Sequence, residues 1–181
     1  MDSASGGSTM GASAIAPADP GLLEWLARHD VEYEVHEHAP AFTALGVAKA
    51  EGVDPHTVAK VVAVSTPDGH NSLVVLETTD RLDLRKAAQA LAADSVRLLT
   101  EAELGMLAPT CEIGAMPAVG PLFGVGMVAD YAIRDDPDIS FNAGNHRCSV
   151  RVDRVGWERA TGVTYADLAL DRGDHPAWDR S

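Results

Sequence analysis

Three short stretches hold the residues best placed to act on a substrate. Lys60 stands in Val58-Ala59-Lys60-Val61-Val62-Ala63-Val64, a run with strong β character. Lysine is rarely buried without a partner. Its ammonium therefore either snorkels out from the strand start or faces a cleft that holds an anion. Gly114-Ala115-Met116-Pro117 is a glycine–proline loop, and Gly144-Asn145-His146 sets an imidazole in a turn between two short strands. Taken singly, such a loop is most often a plain turn and such a histidine is most often at the surface. Better-known chemistry is absent: the chain has no G-x-S-x-G, no Walker loop, no H-E-x-x-H and no G-x-G-x-x-G opening a helix. Gly124-Val125-Gly126 precedes a strand instead of following one, which excludes a dinucleotide site of that kind. His36 and His38 lie two apart on one strand, with no carboxylate or cysteine cluster to complete a shell, so no metal is expected.

The elements that position these residues are legible from periodicity and caps. Asp19-Pro20 opens a helix carrying Leu22, Leu23, Trp25 and Leu26 and ending at His29-Asp30. Val31 to His36 alternates apolar and polar residues, the period of a half-buried strand. Thr43 caps a second helix to about Glu51, closed by Gly52. Val58–Ser65 and Asn71–Glu77 form a hairpin across Pro67-Asp68-Gly69. Asp83 caps a helix to about Leu91, Val96–Leu99 is extended, and Thr100-Glu101-Ala102-Glu103 has the form of a capping box. Glycine and proline break the apolar stretch from Cys111 to Gly126, which reads as a loop lining something. Strands follow at Val125–Ile133, interrupted at Ala129-Asp130, then at Ile139–Asn142 and Cys148–Val152, with a tight connection over Ala143–His146. A short helix capped by Asp153 comes last.

Mixed helices and hairpin-like strands predict an α+β fold: one domain with a central mixed, mostly antiparallel sheet flanked by short helices. The expected boundaries are a flexible tail at 1–18, the domain at 19–162 and a polar tail at 163–181. The 181 residues suffice for a real core. With 46% hydrophobic but only 5% aromatic residues, that core must rest on aliphatic side chains. A net charge of −13 argues against DNA or other nonspecific nucleic-acid binding. Met1–Ala18 lacks the features of a secretory signal, and no apolar run reaches the length of a membrane span. The two cysteines, Cys111 and Cys148, read as free thiols of a reducing compartment, so a cytoplasmic location is expected.

Taken together, in this order and spacing, Val58–Val62, Asp80-Arg81-Leu82-Asp83, Gly114–Pro117 and Phe141-Asn142-Ala143-Gly144-Asn145-His146 resemble the YbaK-like family, the prolyl-tRNA-synthetase-associated editing domain. The resemblance runs from about Val31 to Val155, and His38 and Thr43 sit where the family has its early histidine and threonine. It implies the fold of that domain and hydrolysis of the ester between a mischarged amino acid and tRNA, without a cofactor. In the roles it carries over, Lys60 engages the phosphate end of the terminal adenosine. The Gly114–Pro117 loop approaches the aminoacyl ester, its N–H groups holding the carbonyl oxygen as charge builds there. His146 orients substrate or water. His38, Thr43, Ala115, Met116, Pro117, Gly144 and Asn145 are expected to line the substrate, with Lys60, Gly114 and His146 at the chemistry. The absence of a protein nucleophile fits an ester already activated by a vicinal hydroxyl.

One departure concerns the loop. Many relatives read Gly-Ala-Met-Pro-Pro followed by Phe-Gly, whereas this chain reads Pro117-Ala118-Val119-Gly120. Losing the second proline frees one φ angle. Lys49, Lys60, Arg81, Arg85, Lys86, Arg147 and Arg151 are candidates for one basic face around the cleft. The expected activity is that of a freestanding trans-editing deacylase acting on a small or medium amino acid. The expected partner is the acceptor end of a mischarged tRNA, with an aminoacyl-tRNA synthetase as a second partner that the resemblance admits. Two other readings stand beside it: a non-catalytic module recognising a nucleotide or aminoacylated end, and a hydrolase of another small aminoacyl ester.

Overall fold

The computed structural model describes residues 17–170. Helix α1 (Pro20–Arg28) starts where Asp19 accepts the Leu22 N–H at 2.9 Å, and it buries Leu22, Trp25 and Leu26. Strand β1 (Tyr33–Glu37) leads to α2 (Ala44–Glu51), capped by the Thr43 hydroxyl. The hairpin β2 (Ala59–Ser65) and β3 (Asn71–Glu77) pairs Lys60 with Leu76. Helix α3 (Leu84–Ala90), strand β4 (Arg97–Leu98) and helix α4 (Glu101–Leu107) follow. After the glycine-rich loop come β5 (Gly126–Asp130), β6 (Asp138–Asn145), β7 (Cys148–Asp153), α5 (Arg154–Thr161) and β8 (Thr164–Ala166).

The fold is α+β. The strands expected in one central sheet divide into two. One is antiparallel, in the order β1-β7-β6. The other is mixed, in the order β4-β2-β3-β5-β8, antiparallel on the β4-β2-β3 side and parallel across β3-β5-β8. A parallel bridge between Val58 and Ser140 joins them at the start of β2. The main core lies between the sheets and includes Ala59 and Ala63 of β2, Phe141 of β6, Val150 of β7 and Trp157 of α5. Val64, Val74 and Leu76 face the other way, onto Ala87 of α3 and Leu168.

Four expectations change. Strand β5 stops at Asp130, because its carboxylate accepts the Ala132 N–H at 3.0 Å and turns Tyr131–Asp135 into a 3-10 helix. The same carboxylate accepts from Leu168 and Ala169, anchoring a segment expected to be tail. Residues 163–170 belong to the domain: β8 pairs with β5, and Leu168 is fully buried. Likewise Ala18 is buried, and the Pro17 carbonyl accepts from Asn145. The remaining tail segments, 1–16 and 171–181, lie outside the described residues. Strand β6 runs on through Asn145 with a register shift after Asn142, leaving only His146-Arg147 as the tight connection. Finally, β1 is an edge strand whose Tyr33 and Val35 are exposed, so its alternation does not mark a half-buried face.

Candidate functional site

The glycine loop and the β6–β7 turn meet through a pair of backbone bonds. Gly144 N–H donates to the Ala115 carbonyl at 3.1 Å, and Glu112 N–H donates to the Gly144 carbonyl at 2.8 Å. Gly144 has φ +94, and a Cβ there would fall 2.8 Å from Asp19 Cβ, so only glycine lets the strands and the α1 cap close together. The Glu112 carboxylate accepts the His146 backbone N–H at 2.9 Å. The His146 ring bonds through Nε2 to the Ile113 carbonyl at 2.9 Å. A carbonyl only accepts, so Nε2 carries a proton. Nδ1 is buried with no hydrogen-bond partner. Gly114, at φ +84, lies alongside: its absent Cβ would sit 3.6 Å from His146 Cε1. Among the described residues the Gly114 and Met116 N–H groups have no backbone acceptor, while the Ala115 N–H is taken by the Glu112 carbonyl. The loop thus offers donors directly beside the imidazole.

His38 reaches the same turn from β1. Its backbone N–H donates to the Arg147 carbonyl at 3.0 Å, and Ala41 N–H donates to the His146 carbonyl at 2.8 Å. The His38 side chain is 1% exposed; its Nδ1 donates to the Ala39 carbonyl, and its Nε2 lies 4.0 Å from the Glu51 carboxylate, which also accepts the Ser149 hydroxyl. Phe42 packs its ring on His146, with centroids 4.8 Å apart. Thr43 is committed to capping α2, its hydroxyl accepting the Gly46 N–H at 3.0 Å. Asn145 spends its amide on the scaffold, donating to the Pro17 carbonyl and accepting from the Arg147 N–H. Ala115, Met116, Pro117, Ala118 and Val119 are buried, and Met116, Ala118 and Val119 pack in the main core. The stretch is apolar and contributes side chains to the main core.

The hydrogen bonds of Lys60 go to neither turn. Along β2, Ala59, Val61 and Ala63 pack into the core that holds Met116 and Phe141, while Val62 and Val64 pack on the opposite side. Strand alternation therefore sends Lys60 to the Val62 side. Its ammonium donates to the carbonyl of Thr78, at 3.4 Å, and to that of Asp80. Burial pushes its pKa down, Asp80 opposes this, and Arg81 adds to the lowering. The link to the hairpin is through the backbone: Thr78 N–H donates to the Val58 carbonyl at 2.9 Å, and Val58 bridges Ser140 of β6. Thr78 Oγ1 and Asn142 Oδ1 are buried without hydrogen-bond partners.

The model of the aminoacyl-tRNA editing domain family matches residues 38–160, from His38 through most of α5. The chain belongs to the aminoacyl-tRNA editing domain family. Among solved structures, the fold is similar to that of "a putative trans-editing enzyme for prolyl tRNA synthetase", at 24% identity and TM-score 0.73, covering 85% of this chain and 99% of that one. It is also similar to the hypothetical protein APE2540, at 20% identity and TM-score 0.75, covering 83% and 99%. At these identities the likeness is one of fold. Among the described residues of this editing domain, no helix is long and apolar enough to cross a membrane.

Sequence reasoning missed Glu112 and Phe42. Glu112 sits two residues before Gly114, which is a usable signal in hindsight. Phe42 is marked by being an aromatic residue just before a helix cap, where nothing local can bury it. Glu51 and Ser149, which close around His38, come from α2 and β7 and share no local pattern.

Proposed function

We propose that this protein is a freestanding aminoacyl-tRNA deacylase, hydrolysing in trans the ester of a tRNA mischarged with a small or medium amino acid. The observation that supports this most is the docking of the Gly114 loop against His146, within a chain of the editing family. In this reading the ester carbonyl lies on the Gly114 and Met116 N–H groups, which stabilise the oxyanion as water adds to the carbonyl carbon. The carbon–oxygen bond to the ribose then breaks. The proton lost by water passes to the leaving ribose oxygen, assisted by the neighbouring ribose hydroxyl. The products are the free amino acid and the uncharged tRNA. His146, with Nδ1 unpartnered, orients the water or the amino acid. No protein nucleophile is required, because positioning and carbonyl polarisation carry the rate.

Lys60 is assigned to the phosphate of the terminal adenosine. Two of its N–H donors are used on carbonyls, which leaves the third for an anion. Because Lys60 leaves β2 away from the glycine loop, the nucleotide would pass around the open end of β2, beside the Val58–Ser140 bridge.

The test is deacylation of a panel of mischarged tRNAs (alanyl, cysteinyl, seryl and prolyl pairs) by the purified protein. At least one ester is expected to be cleaved, with turnover strongly reduced in Gly114→Ala. Survival of every ester in the panel rejects the enzyme reading.

A further inference from the structure

Strand β1 ends the antiparallel sheet, and among the described residues only β7 lies beside it. Two bonds at its ends fix which backbone groups face outward. His38 N–H donates to the Arg147 carbonyl, and Asp153 N–H donates to the Glu32 carbonyl. Between them the register is unbroken, from Tyr33 opposite Val152 to Glu37 opposite Cys148. In an antiparallel ladder, residues that bond a given neighbour alternate with residues that do not. The even-numbered residues of β1 therefore bond β7, and the N–H and C=O groups of Tyr33, Val35 and Glu37 point away from the sheet. Such a row of donors and acceptors is a template for another strand. Proteins commonly block an edge with lysine, proline or a bulge, and β1 contains none of these. Tyr33 and Val35 are exposed although they pair with Val152 and Val150, whose side chains fill the main core.

We propose that β1 is a homodimerisation edge: two copies of this chain join β1 to β1, antiparallel, about a two-fold axis at Val35. The joined sheet then runs β6-β7-β1-β1-β7-β6. The occupant is a second copy because the strand is its own complement. With Val35 opposite Val35, Tyr33 opposes Glu37 and Glu34 opposes His36, each twice by symmetry. Every outward backbone group then meets a partner. Glu34 and His36 lie on the face away from the core, beside Arg151 and Ser149 of β7. Within one copy His36 Nε2 is 3.4 Å from the Glu34 carboxylate, so both side chains already share that face. Across the axis each carboxylate faces the other copy's imidazole in a closely spaced pair. The neighbouring registers that keep the outward groups matched set Glu34 against Glu34, or His36 against His36, and like charges directly opposite destabilise a sheet. Charge thus selects the Val35 axis. The net charge of −13 on each copy opposes association at long range; at physiological salt this repulsion is screened beyond about 8 Å. This inference does not depend on the deacylase reading. His38 follows β1 and reaches the His146 turn, so the dimer sets the two candidate sites at opposite ends of the paired strands.

The test is sedimentation equilibrium of the full chain at physiological salt. A pairing of one short edge is a small interface, so the concentration series extends to about 1 mM. Wild type is expected to show a reversible monomer–dimer equilibrium. Val35→Pro removes the central N–H of each copy and leaves the β7 ladder intact, because that N–H points outward and proline is tolerated on edge strands. It should weaken association roughly tenfold or more. Glu34→Lys sets a cation against His36, and His36→Glu sets a carboxylate against Glu34, so each variant alone should associate more weakly than wild type. An equimolar mixture of the two should associate more tightly than either alone, since lysine then faces glutamate on one side of the axis and Glu34 faces His36 on the other. Melting curves of each variant check its folding. The inference is overturned if wild type stays monomeric throughout, as it would if residues 1–16 of its own chain covered the edge. It is equally overturned if folded Val35→Pro dimerises like wild type, or if the mixture is no tighter than its components.

Discussion

At the scale of single residues, Gly114 and Gly144 separate chemistry from construction. Both have φ in the left-handed half of the map. Gly114→Ala meets nothing closer than 3.6 Å, so its cost is the backbone strain of about 1 kcal/mol. Turnover should nevertheless fall by about a hundredfold, because the donors beside His146 lose their alignment. Single-turnover deacylation set against thermal melting reads both effects. Gly144→Ala meets Asp19 Cβ at 2.8 Å on top of the same strain. It should destabilise by about 2 kcal/mol or more, lowering the urea midpoint before any activity is considered. For Lys60→Ala, the expected result is a raised KM for tRNA with a folded protein. A drop in melting temperature with unchanged KM would instead assign the ammonium to holding the Thr78–Asp80 turn.

At the scale of elements, local signals were read well and long-range ones poorly. The caps at Asp19, Thr43, Asp83, Thr100 and Asp153 are all in place, because each depends on atoms within about three residues. The capping box of α4 is reinforced by Arg97, which holds the Glu103 carboxylate at 2.7 and 2.9 Å and brings its pKa down to about 2. A carboxylate with a lowered pKa adds stability above its unfolded value of 4.5, and that stability is lost as pH falls toward 2. Glu103→Gln should therefore lower the melting temperature at pH 7, and the gap should close between about pH 4.5 and pH 2. What the sequence left unread was set by distant partners. The face on which Lys60 emerges depends on which core each side of β2 meets. The anchoring of residues 168 and 169 on the Asp130 carboxylate joins positions far apart in the chain. The loop at Ala118 is similar: its carbonyl accepts the Trp157 indole at 2.7 Å, a partner 39 residues away. Trp157→Phe, which orphans that carbonyl, should cost about 1–3 kcal/mol by chemical denaturation.

At the scale of the whole molecule, the proposed function asks an acidic chain of net charge −13 to grip only the acceptor end of a tRNA. Few phosphate contacts predict a shallow dependence of tRNA affinity on salt, with a log–log slope well short of the steep values of proteins that grip many phosphates. Titration between 50 and 200 mM salt measures it. The larger surprise was at the C-terminal side, where polar composition concealed a strand. Thr164–Ala166 covers the edge of β5, and Leu168 fills the second core. Its short length and mixed residues gave no periodicity to read. The signal that remained was Leu168-Ala169-Leu170 between aspartates.

That late strand has a consequence for biosynthesis. Residues 128–130 gain their outer neighbour only from residues 164–166, and β1 finds its partner more than a hundred positions downstream in β7. The nascent polypeptide therefore leaves the ribosome with open strand edges until nearly the whole domain has cleared the exit tunnel, a period in which chaperone attendance would matter most.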